Sequence, residues 1–329
     1  MEEIEKRIAD LTAPVSERIR EVFSKNKKPF EVYGLLSEFL LVKGKMLRPA
    51  LCLAACMATH GKVTKDAIHA AAAVEMFHNF TLIHDDIEDA SLLRRGMPCM
   101  HIKYGVPLAL NAGDGLFMLV WRETMEIKKN KELAQKRLLD AFTGVLEGQA
   151  IELGWYWKNK WEVGREDYFD VVQGKTGCLI AGACEVGGIV GGASKAQQKA
   201  LYDFGMGIGV GFQIMDDVLN IIGEEKKYGK EIGGDIVEGK RTLIVVRALE
   251  LLGQSKKEEL LSILKKKEKT KQEVERAILL LKESGGVNEA IKEAERRVRE
   301  GIGKLDLLKE NEGKRLLVQI ADYITKRQR

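Results

Sequence analysis

The chain has 329 residues, of which 45% are hydrophobic and 31% charged, and its formal net charge is +4. This hydrophobic content is enough for a large core, while the mixing of lysine with glutamate excludes a chain-wide affinity for strongly acidic or basic partners. Five cysteines form no CxxC pair, which indicates reduced thiols in a cytoplasmic protein rather than a zinc site or disulfide framework. No apolar run reaches the roughly 18 residues of a membrane span, and the acidic, amphipathic N-terminus does not resemble a secretion signal.

The distribution of proline favours an all-α fold. Only five prolines occur, and none follows Pro107. Because proline breaks helices, the long proline-free remainder is typical of a helical protein. No internal repeat or flexible linker divides the sequence, so we expect a single domain over 1–329.

The first predicted elements are two amphipathic helices. Apolar residues at helical spacing predict helices over 2–24 and 30–42, separated by KNKKP. The next segment, KGKMLRP (43–49), places Lys45 and Arg48 near the start of another helix. Two cations at a helix N-terminus form a plausible anion site, although an ordinary basic loop would have the same composition.

A long helix is predicted from Thr64, its N-cap, into the acidic stretch LIHDDIEDASLLRRG (82–96). Asp85 and Asp89 stand four residues apart, so their carboxylates lie on one helix face, with Asp86 beside them. The cluster lies near the helix C-terminus, where the macrodipole disfavours negative charge. A bound cation would explain that position, and a solvated acidic surface is the alternative.

The middle of the chain is predicted to continue as helices. Those expected are 97–129, interrupted at Pro107, Gly113 and Gly115, then 131–154, and a further helix from Arg165. The aromatic segment WYWKNKW (155–161) marks a corner, and such rings more often pack than stack on ligands. The GKTG that follows (174–177) is not a nucleotide-binding P-loop, since that motif requires glycine where residue 169 is Phe.

A second acidic centre lies in GMGIGVGFQIMDDVLN (205–220), which contains Gln213, Asp216, Asp217 and Asn220. Its four glycines predict close helix packing, because no βαβ pattern supports a dinucleotide site. Two acidic helices distant in sequence can face each other across a bundle. Oxygen ligands without paired Cys or His point to Mg²⁺, whose shell is usually completed by water and phosphate oxygens. The sequence therefore predicts a phosphorylated substrate.

The glycine-rich segment KKYGKEIGGDIVEGKRTL (226–243) holds Lys230, Lys240 and Arg241. A flexible backbone with lysines could close over phosphates, although lysines in such loops are usually solvated. The remainder reads as charged amphipathic helices with breaks near Gly253, Gly285, Gly301 and Gly313. Its lysine-rich stretch has interleaved glutamates and no aromatic platform, so a solvated face is favoured over nucleic-acid binding.

Five motifs, taken in this order, resemble the trans-isoprenyl diphosphate synthases, the short-chain polyprenyl synthase family. They are GKMLRP (44–49), EMFHNFTLIHDDIEDASLLRRG (75–96), GKTG (174–177), FQIMDDVLN (212–220) and GKEIGGDIVEGKRT (229–242). The resemblance covers nearly the whole chain. It implies a single all-α bundle around a deep central cavity, a homodimer, and Mg²⁺-dependent joining of isopentenyl diphosphate to an allylic diphosphate, with Mn²⁺ as a substitute metal.

The resemblance also implies roles for individual positions. Asp85, Asp89 and Asp216 correspond to the principal metal ligands, supported by Asp86 and Asp217. The residues implied to surround the allylic diphosphate are Arg94, Lys175, Thr176, Gln213, Lys230 and Lys240. Those implied to bind isopentenyl diphosphate are Lys45, Arg48, His78 and Arg95. Asp85, Asp89, Asp216, Lys175 and Lys230 form the implied catalytic set, which stabilises charge on the departing diphosphate without a protein nucleophile.

Product length in this family depends on residues before the first aspartates, here Thr81, Phe80 and Phe77. One large ring five positions before Asp85 resembles a geranylgeranyl synthase more than a farnesyl synthase. Ideal helix geometry places Thr81 and Phe77 nearer the Asp85 line than Phe80. The pattern departs from the family where Lys43 and Met46 replace a glycine and a basic residue and where Asn220 replaces an aspartate.

Three alternatives remain open from the sequence. A farnesyl synthase would share all five motifs. A terpene cyclase or head-to-head condensing enzyme would share the aspartates but would not need Lys45 and Arg48. A noncatalytic partner subunit of a heteromeric synthase commonly lacks the second acidic motif, whereas Asp216 and Asp217 are present here.

Overall fold

The structure is a computed structural model that describes residues 2–40, 44–223 and 232–326. The prediction of an all-α fold is confirmed. The helices are α1 Glu2–Lys25, α2 Phe30–Leu40, α3 Leu47–His60, α4 Lys65–Glu88, α5 Met100–Tyr104, α6 Val106–Met125, α7 Lys131–Trp157, α8 Arg165–Val172, α9 Cys178–Gly191, α10 Lys195–Ile222, α11 Gly234–Glu238, α12 Leu243–Leu251, α13 Gln254–Leu264, α14 Lys271–Glu283, α15 Gly286–Lys304 and α16 Glu312–Lys326. Among the described residues, the strands are a short antiparallel pair, β1 Leu93–Arg94 and β2 Met97–Pro98.

The chain forms two compact units, each assembled from separate stretches of sequence. Unit 1 comprises the described residues of Met1–Phe142, Leu179–Tyr202 and Leu305–Ile320. Unit 2 comprises those of Thr143–Cys178, Asp203–Lys304 and Ala321–Arg329. The expectation of a single domain over 1–329 stays a prediction.

Unit 1 is built around α4. The helix begins where the sequence predicts, since the Thr64 hydroxyl accepts a hydrogen bond from the Ala67 N–H at 3.1 Å. Most of its residues from Ala67 to Phe80 are buried, because α4 packs against α1, α3 and α6. A helix buried on nearly all sides cannot shift without losing core contacts. The acidic motif at its end is therefore rigidly placed within unit 1.

A buried ion cluster connects three helices of unit 1. Arg18 of α1 donates from Nε and Nη2 to the two carboxylate oxygens of Glu123 in α6, each at 2.9 Å. His69 of α4 places its Nδ1 at 2.6 Å from Glu123 Oε1. The Glu123 side chain is almost fully buried, so its charge depends on these two partners.

Unit 2 has its own apolar core, formed by residues of α8, α10 and α12 to α15. The predicted close packing around the glycines of 205–211 is confirmed at Gly207. A Cβ there would lie 2.7 Å from the Arg297 carbonyl oxygen and 3.0 Å from the Gly301 Cα. Only glycine allows the α10 and α15 backbones this approach.

Some predicted helix breaks were wrong. Helix α6 continues through Gly113 and Gly115, and α15 continues through Gly301, although α6 does begin near Pro107 as expected. A Cβ at Gly113 would lie 2.4 Å from His84 Nε2. These glycines make room for neighbours instead of ending helices, because packing outweighs their roughly 1 kcal/mol helix penalty.

The five cysteines are all free thiols, as the sequence predicts. The lack of CxxC spacing thus predicted the state of the thiols correctly.

In the described parts of the chain, no helix has both the length and the apolar character that a bilayer crossing requires.

The Glu123 cluster should control the acid stability of unit 1. Burial disfavours the Glu123 carboxylate, but hydrogen bonds with His69 and Arg18 outweigh it and lower its pKa. A folded pKa below the unfolded value gives stability that is present above about pH 4.3 and is lost as pH falls through the folded pKa. Glu123→Gln should lower the free energy of unfolding at pH 7 by about 3 kcal/mol, because the Arg18 guanidinium loses its buried carboxylate partner.

Chemical denaturation of Glu123→Gln at pH 7 and pH 4 measures this effect. Glu126→Gln, at an exposed position one turn away, is the control and should change stability by less than about 0.5 kcal/mol. Equal stability of the two variants at pH 7 would show that the cluster contributes little.

Candidate functional site

The first acidic motif lies at the C-terminal end of α4 in unit 1. Asp89 is the C-cap, and its N–H donates to the Asp85 carbonyl oxygen at 2.8 Å. Asp85 is half-buried and Asp89 is exposed, so the two carboxylates stand at the helix end where the macrodipole is negative. The predicted placement of the pair on one turn is observed.

Asp86 points inward from the same motif and pairs with Arg94 of β1. Arg94 Nε donates to Asp86 Oδ1 at 2.9 Å, and its Nη2 contacts the same oxygen. Asp86 Oδ2 is buried and has no hydrogen-bond partner among the described residues. Because a buried acceptor normally has a partner, this oxygen suits a cation or its bound water.

Arg48, Arg95 and His78 form a cationic group in unit 1, as the resemblance implies. Burial, then the charges of Arg48 and Arg95, lower the pKa of His78 well below its usual range, so the imidazole is neutral at pH 7. Burial and Arg95 also lower the pKa of Arg48, against the opposing effect of Glu75. Arg48 Nε lacks a hydrogen-bond partner among the described residues. Concentrated positive charge of this kind suits a polyvalent anion.

Lys45 is exposed immediately before this group. The preceding residues 41–43, including the departure at Lys43, lie outside the described residues. Met46, the second departure in this motif, is the N-cap of α3 and has a left-handed φ of 53°. The basic motif therefore turns sharply into the helix that carries Arg48.

A cavity of about 480 Å³ adjoins the group, with walls from α1 and α2. Its polar side includes Glu75, Asn79 and Arg95. Glu75 is a buried carboxylate whose pKa is raised by burial, although Arg48 and Arg95 partly offset that effect. The Glu75 carboxyl therefore interacts electrostatically with both arginines of the cationic group.

The predicted chain-length residues lie in a cluster of aromatic rings in unit 1. Phe77 is fully buried and stacks on Phe142 with ring centroids 3.8 Å apart. Phe80 lies 5.5 Å from Phe77 and 5.1 Å from Phe117 by ring centroids. Thr81 donates its hydroxyl to the His78 carbonyl oxygen at 2.8 Å. Phe80 is thus the less confined of the two predicted rings, at 7% exposure against 0% for Phe77.

The second acidic motif lies near the end of α10 in unit 2. Asp216 is half-buried, whereas Asp217 is buried. Gln213 Nε2 donates to Asp217 Oδ1 at 2.9 Å, and the Tyr168 hydroxyl donates to Oδ2 at 3.1 Å. Thr176 in turn donates to Gln213 Oε1 at 2.9 Å. Both oxygens of Asp217 are held by this chain of hydrogen bonds, which leaves Asp216 as the more accessible aspartate.

Lys175 lies in a five-residue π-helical segment, Gln173–Gly177, between α8 and α9. Its ammonium lies 2.7 Å from Glu152 Oε2 of α7. A Cβ at Gly148 would lie 2.4 Å from the Lys175 backbone nitrogen, so this close approach requires glycine. Single-turn π-segments often occur at functional sites, and this one sets the position of Lys175.

Lys240 ends the glycine-rich loop of unit 2. Its ammonium lies 2.8 Å from both Asp235 Oδ1 and Glu238 Oε2. Burial alone would lower the pKa of Lys240, but these carboxylates outweigh it and raise the pKa, so the amine is charged. The other predicted lysine of this loop, Lys230, lies outside the described residues.

Asn220, the departure from the family pattern, has a structural partner. Its Oδ1 accepts a hydrogen bond from the Asp235 N–H at 3.0 Å, and its backbone oxygen accepts from the Gly233 N–H at 2.7 Å. An amide can serve as this acceptor without adding negative charge. Asn220 therefore orients the start of α11 and the Asp235 carboxylate.

The available donors fit Mg²⁺. Burial, then the neighbouring Asp235 carboxylate, raise the pKa of Asp217 well above its usual range, so negative charge is crowded at this end of α10. In unit 1, the second oxygen of Asp86 has no hydrogen-bond partner among the described residues, although the first is paired with Arg94. Carboxylate oxygens are the ligands that Mg²⁺ prefers. In neither unit do the described residues bring three Asp, Glu, His or Cys side chains together as a ready metal cluster.

Several residues of the site were not identified from the sequence. They are Glu75, Glu152, Tyr168, Asp235 and Glu238. Glu75 lies three residues before His78, so helical spacing offered a signal. Asp235 and Glu238 lie within five residues of Lys240, so the acidic residues of that segment also offered a signal. Glu152 and Tyr168 contact partners distant in sequence and have no local signature.

Comparison with known proteins agrees with these observations. The family model described as polyprenyl synthetase matches residues 31–281. A short chain isoprenyl diphosphate synthase from Methanothermobacter thermautotrophicus is 36% identical over 315 residues, which are 95% of each chain. A geranylgeranyl diphosphate synthase from Methanosarcina mazei is 36% identical over 332 residues, covering 100% of this chain and 98% of that one.

A solved structure shows the same fold. The crystal structure of geranylgeranyl pyrophosphate synthetase from Pyrococcus horikoshii matches with a TM-score of 0.92 and 34% identity. The match covers 99% of this chain and 98% of the other.

The cationic group of unit 1 should bind a polyphosphate without metal. Binding of inorganic pyrophosphate is measured by calorimetric titration in the presence of EDTA. The wild type should bind it, and Arg48→Met should bind it at least about tenfold more weakly. The loss of a charge-assisted contact of about 1.5 kcal/mol or more accounts for that difference. Arg122→Met, on the exposed side of α6, is the matched control. Equal affinity in both variants would exclude Arg48 from the anion site.

Proposed function

Since the chain belongs to the polyprenyl synthetase family, we propose that this prenyltransferase joins isopentenyl diphosphate to an allylic diphosphate and makes geranylgeranyl diphosphate. The observation that carries the proposal is the contrast within unit 1 between two centres. One is the carboxylate pair at the end of α4, and the other is the group of Arg48, Arg95 and neutral His78. Two diphosphates in different chemical roles need two such different sites. The similar geranylgeranyl synthases support the substrate class.

At the isopentenyl end, Arg48 and Arg95 are proposed to bind the diphosphate directly, together with Lys45. Burial lowers the pKa of both Arg48 and Arg95 against the opposing effect of Glu75, and repulsion from Arg95 lowers that of Arg48 further, as repulsion from Arg94 does for Arg95. An anion would relieve that repulsion. His78, neutral at pH 7, can donate one hydrogen bond to the anion without adding further charge.

At the allylic end, the proposed step is cleavage of the allylic carbon–oxygen bond. Mg²⁺, held by Asp85, Asp89 and Asp216 with support from Asp86 and Asp217, would supply positive charge for the departing diphosphate. The cations implied to contact that diphosphate are Arg94, Lys175, Lys230 and Lys240, with Thr176 and Gln213 beside them. Fixed cations stabilise the developing charge without reorganising.

Carbon–carbon bond formation then needs no protein nucleophile. The electron pair of the isopentenyl double bond attacks the allylic cation, and the departed diphosphate accepts the proton that the new cation loses. The chain's proposed part is to orient both substrates and to exclude water.

The proposed twenty-carbon product follows from the aromatic cluster below the first acidic motif. Phe77 is packed against Phe142, while Phe80 contacts Phe117 and is slightly exposed. A growing chain would therefore meet Phe80 before Phe77. The alternative product is farnesyl diphosphate.

We also propose that the enzyme is a homodimer that works in the cytoplasm. The hairpin and α6 expose large apolar side chains, including Leu92, Leu93, Leu110 and Met118, at 41% to 69%. Exposed apolar surface of this extent is typical of an interface. The free thiols fit a reducing compartment.

The reaction itself is tested with purified protein, dimethylallyl diphosphate, isopentenyl diphosphate and Mg²⁺, followed by chromatography of the products. Geranylgeranyl diphosphate should predominate, EDTA should abolish turnover, and Mn²⁺ should restore it. Asp89→Asn should reduce kcat by at least about 100-fold, because it removes a metal ligand. Glu88→Gln, next to it and exposed, is the control.

A different product pattern would redirect the assignment. Farnesyl diphosphate as the only product would favour the shorter synthase. No elongation by the protein alone would contradict the proposal and favour a noncatalytic subunit.

Chain length should depend on the aromatic cluster. Phe80→Ala should yield products longer than twenty carbons, because removing the ring deepens the space beneath the aspartates. Phe77→Ala should also lengthen the product and, as a fully buried ring, should lower stability by about 3 kcal/mol or more. Product chromatography and thermal unfolding measure the two effects.

Phe30→Ala, at a ring that is 57% exposed, is the matched control and should leave product length unchanged. Unchanged products from both Phe77→Ala and Phe80→Ala would rule out either ring as the floor of the cavity.

A further inference from the structure

Arg241 directly follows Lys240 but occupies a different environment. Lys240 reaches Asp235 and Glu238, whereas Arg241 is only 5% exposed and has no carboxylate within ion-pair distance among the described residues. A buried guanidinium is costly unless other groups meet its charge and its donors. The sequence suggested a phosphate-facing cation here, but Arg241 is engaged elsewhere.

Two aromatic rings hold the Arg241 side chain. Its guanidinium carbon lies 4.5 Å from the Tyr156 ring centroid and 4.2 Å from that of Trp161. Its Nε donates to the Lys160 carbonyl oxygen at 3.1 Å, and its Nη1 donates to that of Gly239 at 2.9 Å. Aromatic faces attract a guanidinium through the ring quadrupole, so both rings help to meet the charge of Arg241. We call Tyr156 and Trp161 the aromatic socket.

The aromatic socket is built by the way α7 ends. The Lys160 N–H donates to the Trp155 carbonyl oxygen at 2.9 Å, and the Asn159 N–H donates to that of Tyr156 at 3.1 Å. Asn159 adopts a left-handed φ of 48°, which completes a Schellman motif. Trp161 Nε1 donates to Asn159 Oδ1 at 2.9 Å, so the indole is held by a contact that does not involve Arg241.

The Lys240 backbone is held on its other side by α11. The Lys240 N–H donates to the Asp235 carbonyl oxygen at 2.9 Å, and Gly239 takes a left-handed φ of 73° that only glycine adopts easily. Thr242 caps α12 immediately afterwards by accepting from the Val245 N–H at 3.4 Å. Lys240 therefore lies between two anchors, one at Asp235 and one at Arg241.

We propose that Arg241 is a positioning residue that, seated in the aromatic socket, fixes the backbone of Lys240 so that its ammonium is held ready for the allylic diphosphate. The inference rests on the proposed function and adds a role for the aromatic socket. In this role, Tyr156 and Trp161 do not contact the substrate. Lysine at 241 could keep the charge but not the planar stacking and both carbonyl contacts at once.

The test compares Arg241→Met and Trp161→Leu with two other variants. Trp161→Phe is the conservative variant that keeps a ring, and Trp157→Leu is the matched control because Trp157 is 84% exposed. Two quantities are measured for each: KM for each diphosphate, and hydrogen exchange of the 238–242 amides in substrate-free protein. Arg241→Lys is included in case the methionine variant fails to fold.

Arg241→Met and Trp161→Leu should raise KM for the allylic diphosphate about tenfold while KM for isopentenyl diphosphate stays within about twofold, since only the Lys240 contact is lost. Exchange of the 238–242 amides should accelerate in parallel. Trp161→Phe should stay within about threefold of wild type in both measurements, because a ring is retained. Trp157→Leu should match wild type.

The outcomes separate the two proposals. An active wild type whose socket variants change neither KM, change both equally, or leave amide exchange unaltered would overturn the role of Arg241 and leave the proposed function standing. A wild type that does not elongate would overturn the proposed function and this inference with it.

Discussion

The structure of unit 1 depends on the burial of α4. Its residues from Ala67 to Phe80 are almost all enclosed by neighbouring helices, so the end of the helix cannot rotate or slide independently. Three features are fixed by that one constraint: the aspartate pair at the last turn, His78 within the cationic group, and the rings of Phe77 and Phe80. A change of register along α4 would displace all three together.

Unit 1 contains two centres of opposite charge, an aspartate pair and an arginine group. Asp85 and Asp89 stand at a negative helix end, which favours a cation as partner. Burial, then the charges of Arg48, Arg95 and Arg94, lower the pKa of His78, and the buried Glu75 carboxyl opposes the effect of burial on the pKa of both Arg48 and Arg95. The aspartate pair suits a metal ion, and the arginine group suits an anion.

In unit 2, two of the lysines implied to contact substrate are paired with carboxylates. Lys175 and Lys240 are each paired with carboxylates, Glu152 in one case and Asp235 with Glu238 in the other. These pairs orient both amines, and at Lys240 the carboxylates also raise the pKa of the amine against the effect of burial. The π-helical segment at Lys175 and the Arg241 anchor beside Lys240 then fix the backbones from which these amines extend.

The sequence by itself determined the all-α class, the start of α4 at Thr64, the shared turn of Asp85 and Asp89, and the free thiols, because capping, periodicity and residue spacing are local properties. Only the tertiary structure decided that Glu75 lies beneath the two arginines, that Asn220 accepts from the Asp235 N–H, and that α6 and α15 continue through their glycines. It also decided that Lys240 pairs with carboxylates whereas its neighbour Arg241 packs against aromatic rings. These outcomes depend on contacts between residues distant in sequence, where burial and packing outweigh local preference.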